Sequence, residues 1–168
     1  VRFLMRFNES LLLRRRDDLH ERGVRVRFIG RRGGRVPRRV LQRIDETEAL
    51  TARNRRMTLT FAFNYGGRAE LADAVRAIAE GVRSGRVDPA RVDERMISRH
   101  LYAPDMPEPD LVIRTSGEYR ISNYLLWESA YSEFVFTDVL WPDFRTADIR
   151  ELLATDAQVR SLEPSKHA

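Results

Sequence analysis

The residues best suited to chemistry lie in one stretch, Pro109 to Phe144. Arg114 and Arg120 stand on either side of the turn-forming Thr115–Gly117, and Ser122 follows two residues later. A short apolar strand leads directly into this turn. Guanidinium groups present forked N–H donors that match phosphate oxygens, and a serine hydroxyl adds a further donor. This spacing predicts a pocket for a doubly charged phosphate group.

The same residues also have a simpler interpretation. Arg114 and Arg120 could pair with Asp110 and Glu118 as surface ion pairs, and Glu133 could protect an exposed strand edge. Residue types and spacing alone do not decide between phosphate binding and ion pairing.

A second candidate anion site follows the strand predicted for residues 57–65. Gly66 and Gly67 come next, and a helix then begins near Ala69. Backbone N–H groups at a helix N-terminus can receive an anion. The glycines could equally serve only to allow a tight turn, and the sequence leaves both interpretations open.

The elements that must position these residues alternate along the chain. Alternating strands and helices predict a single α/β domain over residues 1–168, with a largely parallel sheet flanked by helices. In such sheets ligands bind beyond the carboxyl ends of the strands, so we expect both turns to share one rim. The predicted strands cover 24–29, 57–65, 111–114 and 133–136, and the predicted helices 1–22, 37–52, 69–83, 88–101, 125–130 and 146–159.

Composition limits the class of protein. With 168 residues, 42% of them hydrophobic, the chain is long enough for one domain with a real core. It has no cysteine, which excludes disulfides and thiolate metal sites. Neither a bilayer-spanning apolar run nor a signal-peptide pattern is found, so we expect a cytoplasmic protein with at most peripheral membrane contact.

The charge balance is basic, with a formal net charge of +5. Lys166 is the only lysine among 30 basic residues, a ratio that points to genomic base composition. We therefore interpret runs such as Arg14–Arg16 and Arg31–Arg32 as solvated faces. A nucleic-acid-binding module is the weakest hypothesis, because the aromatic residues lie in apolar runs and are not interleaved with arginine.

Three segments together resemble a known family. NYGGRAEL at 64–71, PDLVIRTSGEYRISN at 109–123 and LLWESAYSEFVFTDVLWPDF at 125–144 are similar to the cis-prenyltransferases, typified by undecaprenyl diphosphate synthase. The resemblance implies condensation of isopentenyl diphosphate onto an allylic diphosphate, such as farnesyl diphosphate, with a new Z double bond.

The resemblance also implies roles for individual residues. Arg114, Arg120 and Ser122 match the residues that hold the diphosphate of isopentenyl diphosphate, and Glu133 matches a glutamate associated with Mg²⁺. Asn64 and Arg68 match a family motif near the site. The segment 123–144, with both tryptophans and Tyr131, would lie at a homodimer interface.

One family element is not found in this sequence. The family's Asp-Gly-Asn phosphate loop, with its Mg²⁺-binding catalytic aspartate, has no counterpart here, so no catalytic residue is assigned. We expect the chain to hold about two-thirds of the fold and the natural protein to be longer. A cis-prenyltransferase subunit is the first hypothesis. A non-catalytic partner subunit, or an inactive fragment that binds isopentenyl diphosphate, is the second.

Overall fold

A computed structural model describes residues 15–34 and 36–162. The backbone divides into two compact units, the first ending at Met106 and the second starting at Pro107. The prediction of one domain over residues 1–168 therefore stays a prediction, as does the rim shared by the two turns. The first 14 residues of the predicted N-terminal helix and the tail from Glu163 onward lie outside the described residues.

The first unit is built on two parallel strands. Residues 15–21 form a helix (α1). A turn follows at Gly23, whose φ of 71° suits glycine. Strand β1, Val24–Ile29, then pairs in parallel with β2, Met57–Ala62, with Val24 opposite Met57 and Ile29 opposite Ala62. The alternation predicted for residues 24–29 is confirmed.

Helix α2, Arg38–Thr51, connects these strands and covers the sheet. Its buried residues recur at helical spacing: Val40, Ile44, Thr47 and Thr51. Val36, Val40 and Ile44 form the core, and Phe28 and Phe63 pack against them. The prediction for this helix is correct to within a residue at each end, because Pro37 precedes the helix and does not start it.

Strand β2 ends three residues earlier than predicted. Asn64 takes a left-handed φ of 50° and its Nδ2 donates to the carbonyl oxygen of Arg31 over 2.7 Å. The backbone N–H of Arg31 donates in return to the Asn64 carbonyl oxygen. These bonds turn the chain out of the sheet before helix α3, Gly67–Arg83, begins.

The single helix predicted for residues 88–101 is wrong. Asp88 caps only a short 3-10 turn, Pro89–Arg91, by accepting from the backbone N–H of Ala90. A second cap, Asp93, accepts from the backbone N–H of Met96 and starts helix α4, Glu94–Arg99. The second cap breaks the segment into two pieces.

The second unit contains another parallel pair. Strand β3, Leu111–Arg114, pairs with β4, Glu133–Phe136, with Leu111 opposite Glu133 and Arg114 opposite Phe136. A 3-10 turn at Trp141–Asp143 precedes helix α5, Thr146–Leu162. Parallel pairing in both units confirms the α/β class with parallel sheets flanked by helices.

The short helix predicted at residues 125–130 is wrong, because this segment forms turns. Ser122, Asn123 and Leu125 all have positive φ, at 52°, 64° and 44°. A residue with positive φ cannot start a right-handed helix, and residues other than glycine adopt this conformation at a cost in free energy. Strain of this kind concentrates at functional sites.

Candidate functional site

The turn between Arg114 and Arg120 is fixed by backbone hydrogen bonds within the second unit. Arg114 is the last residue of β3, at the carboxyl end of the strand. The N–H of Ser116 donates to the carbonyl oxygen of Val139 over 2.9 Å, and that of Gly117 to Thr137 over 3.0 Å. The N–H groups of Ser116 and Gly117 are thus bonded to the segment after β4, which fixes the backbone between the two arginines.

Gly117 is required by this turn. Its φ is 63°, and a Cβ at this position would lie 3.1 Å from Oδ1 of Asp138. The hydroxyl of Tyr119 also donates to Oδ1 of Asp138, over 3.3 Å, and its ring packs on Phe136 at a centroid distance of 5.4 Å. Asp138 therefore contacts the turn at two points, Gly117 and the hydroxyl of Tyr119.

Arg114, Arg120 and Ser122 line one cavity of about 380 Å³. Apolar side chains from the two strands, among them Val112 and Phe134, form its wall. The side chain of Arg114 is 27% exposed and that of Arg120 66%. Two guanidiniums and a hydroxyl on one concave surface provide the donors that the sequence predicted for a phosphate group.

The arginines also pair with Glu118, one of the two partners named in the simpler interpretation. Oε2 of Glu118 lies 2.5 Å from Nη2 of Arg120 and 3.9 Å from Nη2 of Arg114. Nε of Arg120 donates to Oγ of Ser122 over 3.2 Å. Glu118 is thus a site residue that the sequence named only as an ion-pair partner.

Glu133 is not brought to this cavity. It is the first residue of β4, three register steps or about 10 Å along the strands from the pair of Arg114 and Phe136. Side chains alternate between the two faces of a sheet, so an offset of three residues places Glu133 on the face opposite Phe136 and Arg114. Its assignment to a metal stays a prediction.

The first unit holds a second cavity, of about 460 Å³ and mainly apolar. Phe28, Leu59, Phe61 and Ile44 contribute to its wall, and Arg15 lies among its lining residues. The rings of Phe28 and Phe61 stack at 5.2 Å. Such a cavity suits a hydrocarbon ligand.

Asn64 and Arg68, which the sequence placed near the site, are both exposed and lie in the first unit. The side chain of Asn64 is bonded to the carbonyl oxygen of Arg31, which gives it a structural role in the turn after β2. Their binding roles stay predictions.

The glycine turn before α3 already has a carboxylate beside it. Glu70, in the first turn of α3, is 1% exposed. It accepts from the hydroxyl of Tyr65 over 2.5 Å and from the backbone N–H of Tyr102 over 2.8 Å. A carboxylate at a helix N-terminus meets the positive end of the helix dipole, which favours the turn-forming role of Gly66 and Gly67.

A polar network on the same helix was missed by sequence reasoning. Asp73 accepts from Nε of Arg31 and from the hydroxyl of Tyr102, over 2.8 and 2.6 Å, and from Nη1 of Arg76. The hydrogen bond from Arg31 and then that from Tyr102 lower the pKa of Asp73. Burial, followed by the bond to Asp73, raises the pKa of Tyr102 to about 12. No local signal links Asp73 to Tyr102, which lies 29 residues away.

No three acidic, histidine or cysteine side chains among the described residues converge as a preformed metal site. No described helix combines the length and the apolar content needed to cross a bilayer.

Comparison with known proteins identifies the family. Residues 1–160 match the sequence model of the family described as "Putative undecaprenyl diphosphate synthase". A trans,polycis-polyprenyl diphosphate synthase ((2Z,6E)-farnesyl diphosphate specific) of Thermobifida fusca is 57% identical over 86% of this chain and 51% of its own length. Decaprenyl diphosphate synthase of Mycolicibacterium smegmatis is 47% identical over 89% of this chain and 50% of its own.

A solved structure supports the same assignment. Lavandulyl diphosphate synthase from Lavandula x intermedia, in complex with dimethylallyl diphosphate, has a TM-score of 0.87 and 36% identity. The match covers 92% of this chain and 67% of that one. The chain spans about half the length of the curated relatives it matches. It is a member of the undecaprenyl diphosphate synthase family of prenyltransferases.

Proposed function

We propose that this chain takes part in prenyl transfer, in which isopentenyl diphosphate is condensed onto an allylic diphosphate to give a Z-polyprenyl diphosphate. Its relatives are named as polyprenyl diphosphate synthases, and these names support this reaction class. In the proposal the chain supplies the site for the diphosphate of isopentenyl diphosphate.

The observation that carries the proposal is the single cavity lined by Arg114, Arg120 and Ser122. A pyrophosphate group has several acceptor oxygens, and two guanidiniums can bind it through forked hydrogen bonds at fixed separation. The diphosphate of isopentenyl diphosphate remains in the product. Its site therefore has to hold and orient the group, without helping it to leave.

The hydrocarbon part of the product needs an apolar surface. The first unit, taken by itself, has such a surface in its cavity of about 460 Å³, whose wall includes Phe28, Leu59 and Phe61. Covering a prenyl chain with these side chains removes apolar area from water, which favours binding.

Mg²⁺ belongs to the proposal because the reaction releases the diphosphate of the allylic substrate as a leaving group. A hard divalent cation, when bound, neutralises charge on phosphate oxygens. Glu133 does not fit a cation shared with an anion in the arginine cavity, because its side chain is on the other face of the β3–β4 pair.

A homodimer through residues 123–144 is the proposed assembly. Two aromatic side chains of this segment are largely exposed, Tyr131 at 88% and Trp141 at 72%. Large exposed aromatic groups are typical of interfaces. We keep the cytoplasmic location predicted from the sequence as part of the same proposal.

The alternative is a non-catalytic partner subunit or fragment that binds isopentenyl diphosphate. In this alternative the arginine cavity binds the diphosphate and the chain supplies no catalytic residue. A nucleic-acid-binding role loses support, because Arg27, Arg31 and Arg32 are bonded to carboxylates.

One experiment tests these hypotheses together. The 168-residue chain is incubated with Mg²⁺, farnesyl diphosphate and radiolabelled isopentenyl diphosphate, and both extended lipid and bound label are measured. We expect binding of isopentenyl diphosphate that is lost in Arg120→Ala. Turnover by the chain alone would show that the Asp-Gly-Asn loop is dispensable. Binding without turnover would favour the partner or fragment. Salt-sensitive RNA or DNA binding without diphosphate affinity would refute the proposal.

A further inference from the structure

Glu118 places a carboxylate between the two arginines of the proposed diphosphate site. One oxygen, Oε2, lies 2.5 Å from Nη2 of Arg120 and 3.9 Å from Nη2 of Arg114. Among the described residues that line this cavity, Glu118 is the acidic one. Its side chain is 37% exposed, so it has room to rotate.

This carboxylate contacts the N–H donors that an anion would use. A pyrophosphate that binds through Nη2 of both guanidiniums meets Oε2 of Glu118 there, and it either displaces this oxygen or shares the Nη2 groups with it. In either case the negative charge of Glu118 opposes a metal-free anion. Glu118 therefore lowers the affinity of the cavity for an anion that arrives alone.

A divalent cation bound to the pyrophosphate reverses this effect. When the carboxylate of Glu118 releases the arginines, it can coordinate this cation, so its negative charge then favours pyrophosphate binding. Mg²⁺ is held in proteins by one or two carboxylates together with substrate phosphate oxygens, and a preformed cage is not needed. A single glutamate at the wall of a phosphate site fits this pattern.

The position of Glu118 is set by the turn before it. Ser116 and Gly117 are bonded through their N–H groups to the segment after β4, and Gly117 lies against Asp138. The backbone of residue 118 is therefore held at the cavity wall while its side chain can turn between the arginines and a ligand. Glu133 has no comparable position, because it lies at the amino end of β4 and on the other sheet face.

We propose that Glu118 is the carboxylate of this chain that couples divalent-cation binding to diphosphate binding in the arginine cavity. The inference rests on the proposed function, since it assumes that the cavity binds a diphosphate. It assigns to Glu118 the role in this cavity that the family resemblance gave to Glu133.

The test measures pyrophosphate binding to the full chain by isothermal titration calorimetry, in EDTA and in saturating Mg²⁺. Wild type is compared with Glu118→Gln, Glu133→Gln and Glu108→Gln. Glu108 is an exposed glutamate of the same unit outside the cavity lining, so its variant controls for net charge. Circular dichroism checks folding, and Glu118→Ala serves as a second neutral variant.

We expect Mg²⁺ to tighten pyrophosphate binding to wild type by about tenfold. In Glu118→Gln the metal-free affinity should rise by about threefold to tenfold, and the effect of Mg²⁺ should fall to about twofold or less. Glu133→Gln and Glu108→Gln should behave like wild type. Electron paramagnetic resonance of Mn²⁺ with pyrophosphate should show the same loss of coupling in Glu118→Gln and Glu118→Ala.

Two results would overturn the inference while leaving the proposed function intact. One is a loss of the Mg²⁺ effect in Glu133→Gln with a normal effect in Glu118→Gln. The other is weaker metal-free binding in Glu118→Gln, which would mean that Glu118 only holds the arginines in place. Absence of pyrophosphate binding to wild type under both conditions would instead refute the anion site itself.

Discussion

The hydroxyl of Thr51 accepts the backbone N–H of Val26 over 3.0 Å, in a buried contact between α2 and the outer edge of β1. The same hydroxyl donates to the carbonyl oxygen of Thr47 over 2.9 Å. One turn earlier on the helix, Oε1 of Glu48 accepts the N–H of Phe28 over 2.7 Å. Side chains of α2 therefore satisfy the alternate N–H groups that β1 turns away from β2.

Replacing Thr51 by valine should destabilise the protein without changing the shape of the side chain. The variant leaves the N–H of Val26 buried without its acceptor, which costs about 1–3 kcal/mol in free energy of unfolding. Urea unfolding followed by circular dichroism measures the loss. Thr58→Val, at an exposed position of β2, should change stability little. Equal stability of the two variants would contradict the role given to Thr51.

Gly30→Ala should be strongly destabilising. The φ of Gly30 is 123°, and an added Cβ would lie 2.1 Å from the carbonyl oxygen of Phe63, which is backbone and cannot yield. We expect a loss of about 3 kcal/mol or more in the free energy of unfolding. Gly33→Ala is the matched control, because no atom lies within 4 Å of its added Cβ. Similar denaturation midpoints for the two variants would show that the close approach is absent.

Tyr102 should make stability fall at alkaline pH. Its pKa is raised to about 12 by burial and by the bond to Asp73, above the ordinary value of about 10. A raised pKa means that the folded state favours the neutral phenol. The added stability is therefore present below pH 10 and is lost as the pH rises to 12, by about 1–2 kcal/mol after allowance for solvent screening.

The check on Tyr102 is the free energy of unfolding measured between pH 9 and pH 12. Tyr102→Phe should show a shallower alkaline decline than wild type. Tyr131→Phe, which removes an exposed hydroxyl, should follow the wild-type curve. Parallel curves for wild type and Tyr102→Phe would exclude the coupling.

Arg120→Lys should weaken pyrophosphate binding although the charge is kept. A lysine offers a point charge without the planar fork and cannot bond to both pyrophosphate and Ser122 with the same geometry. Loss of one charge-assisted hydrogen bond, at about 1.5–3 kcal/mol, corresponds to a decrease in affinity of about 10- to 150-fold. Calorimetric titration with pyrophosphate measures it, and Arg150→Lys, an exposed arginine outside the cavity, is the control. Unchanged affinity in Arg120→Lys would mean that only charge matters.

The strands and the longer helices could be predicted from periodicity. The alternation in residues 24–29 and the helical stripe of Val40 and Ile44 each arise within one element, so local pattern was enough. The failures occurred where a distant partner decides the backbone. Strand β2 ends early because Asn64 bonds to Arg31, 33 residues away, and the pattern within 57–65 has no information about that bond.

In the candidate site, too, the features set within one segment could be predicted and those set by a distant partner could not. Arg114, Arg120 and Ser122 lie within one short segment that follows a strand, so their spacing was enough to predict a common cavity. The position of Glu133 depends on the register between β3 and β4, whose paired residues are 22 positions apart, as for Leu111 and Glu133. That register is a tertiary property, and it separates Glu133 from the arginines in a way that the sequence could not indicate.

The hydrogen bonds from α2 side chains to β1 leave the two edges of the first sheet unequal in their capacity to pair with a further strand. An incoming strand at β1 would have to remove Thr51 and Glu48 from the N–H groups that they hold, whereas β2 forms no ladder on its other side among the described residues. Unwanted edge-to-edge association through β1 is therefore disfavoured by two helix side chains. Extension of this sheet is therefore favoured at β2.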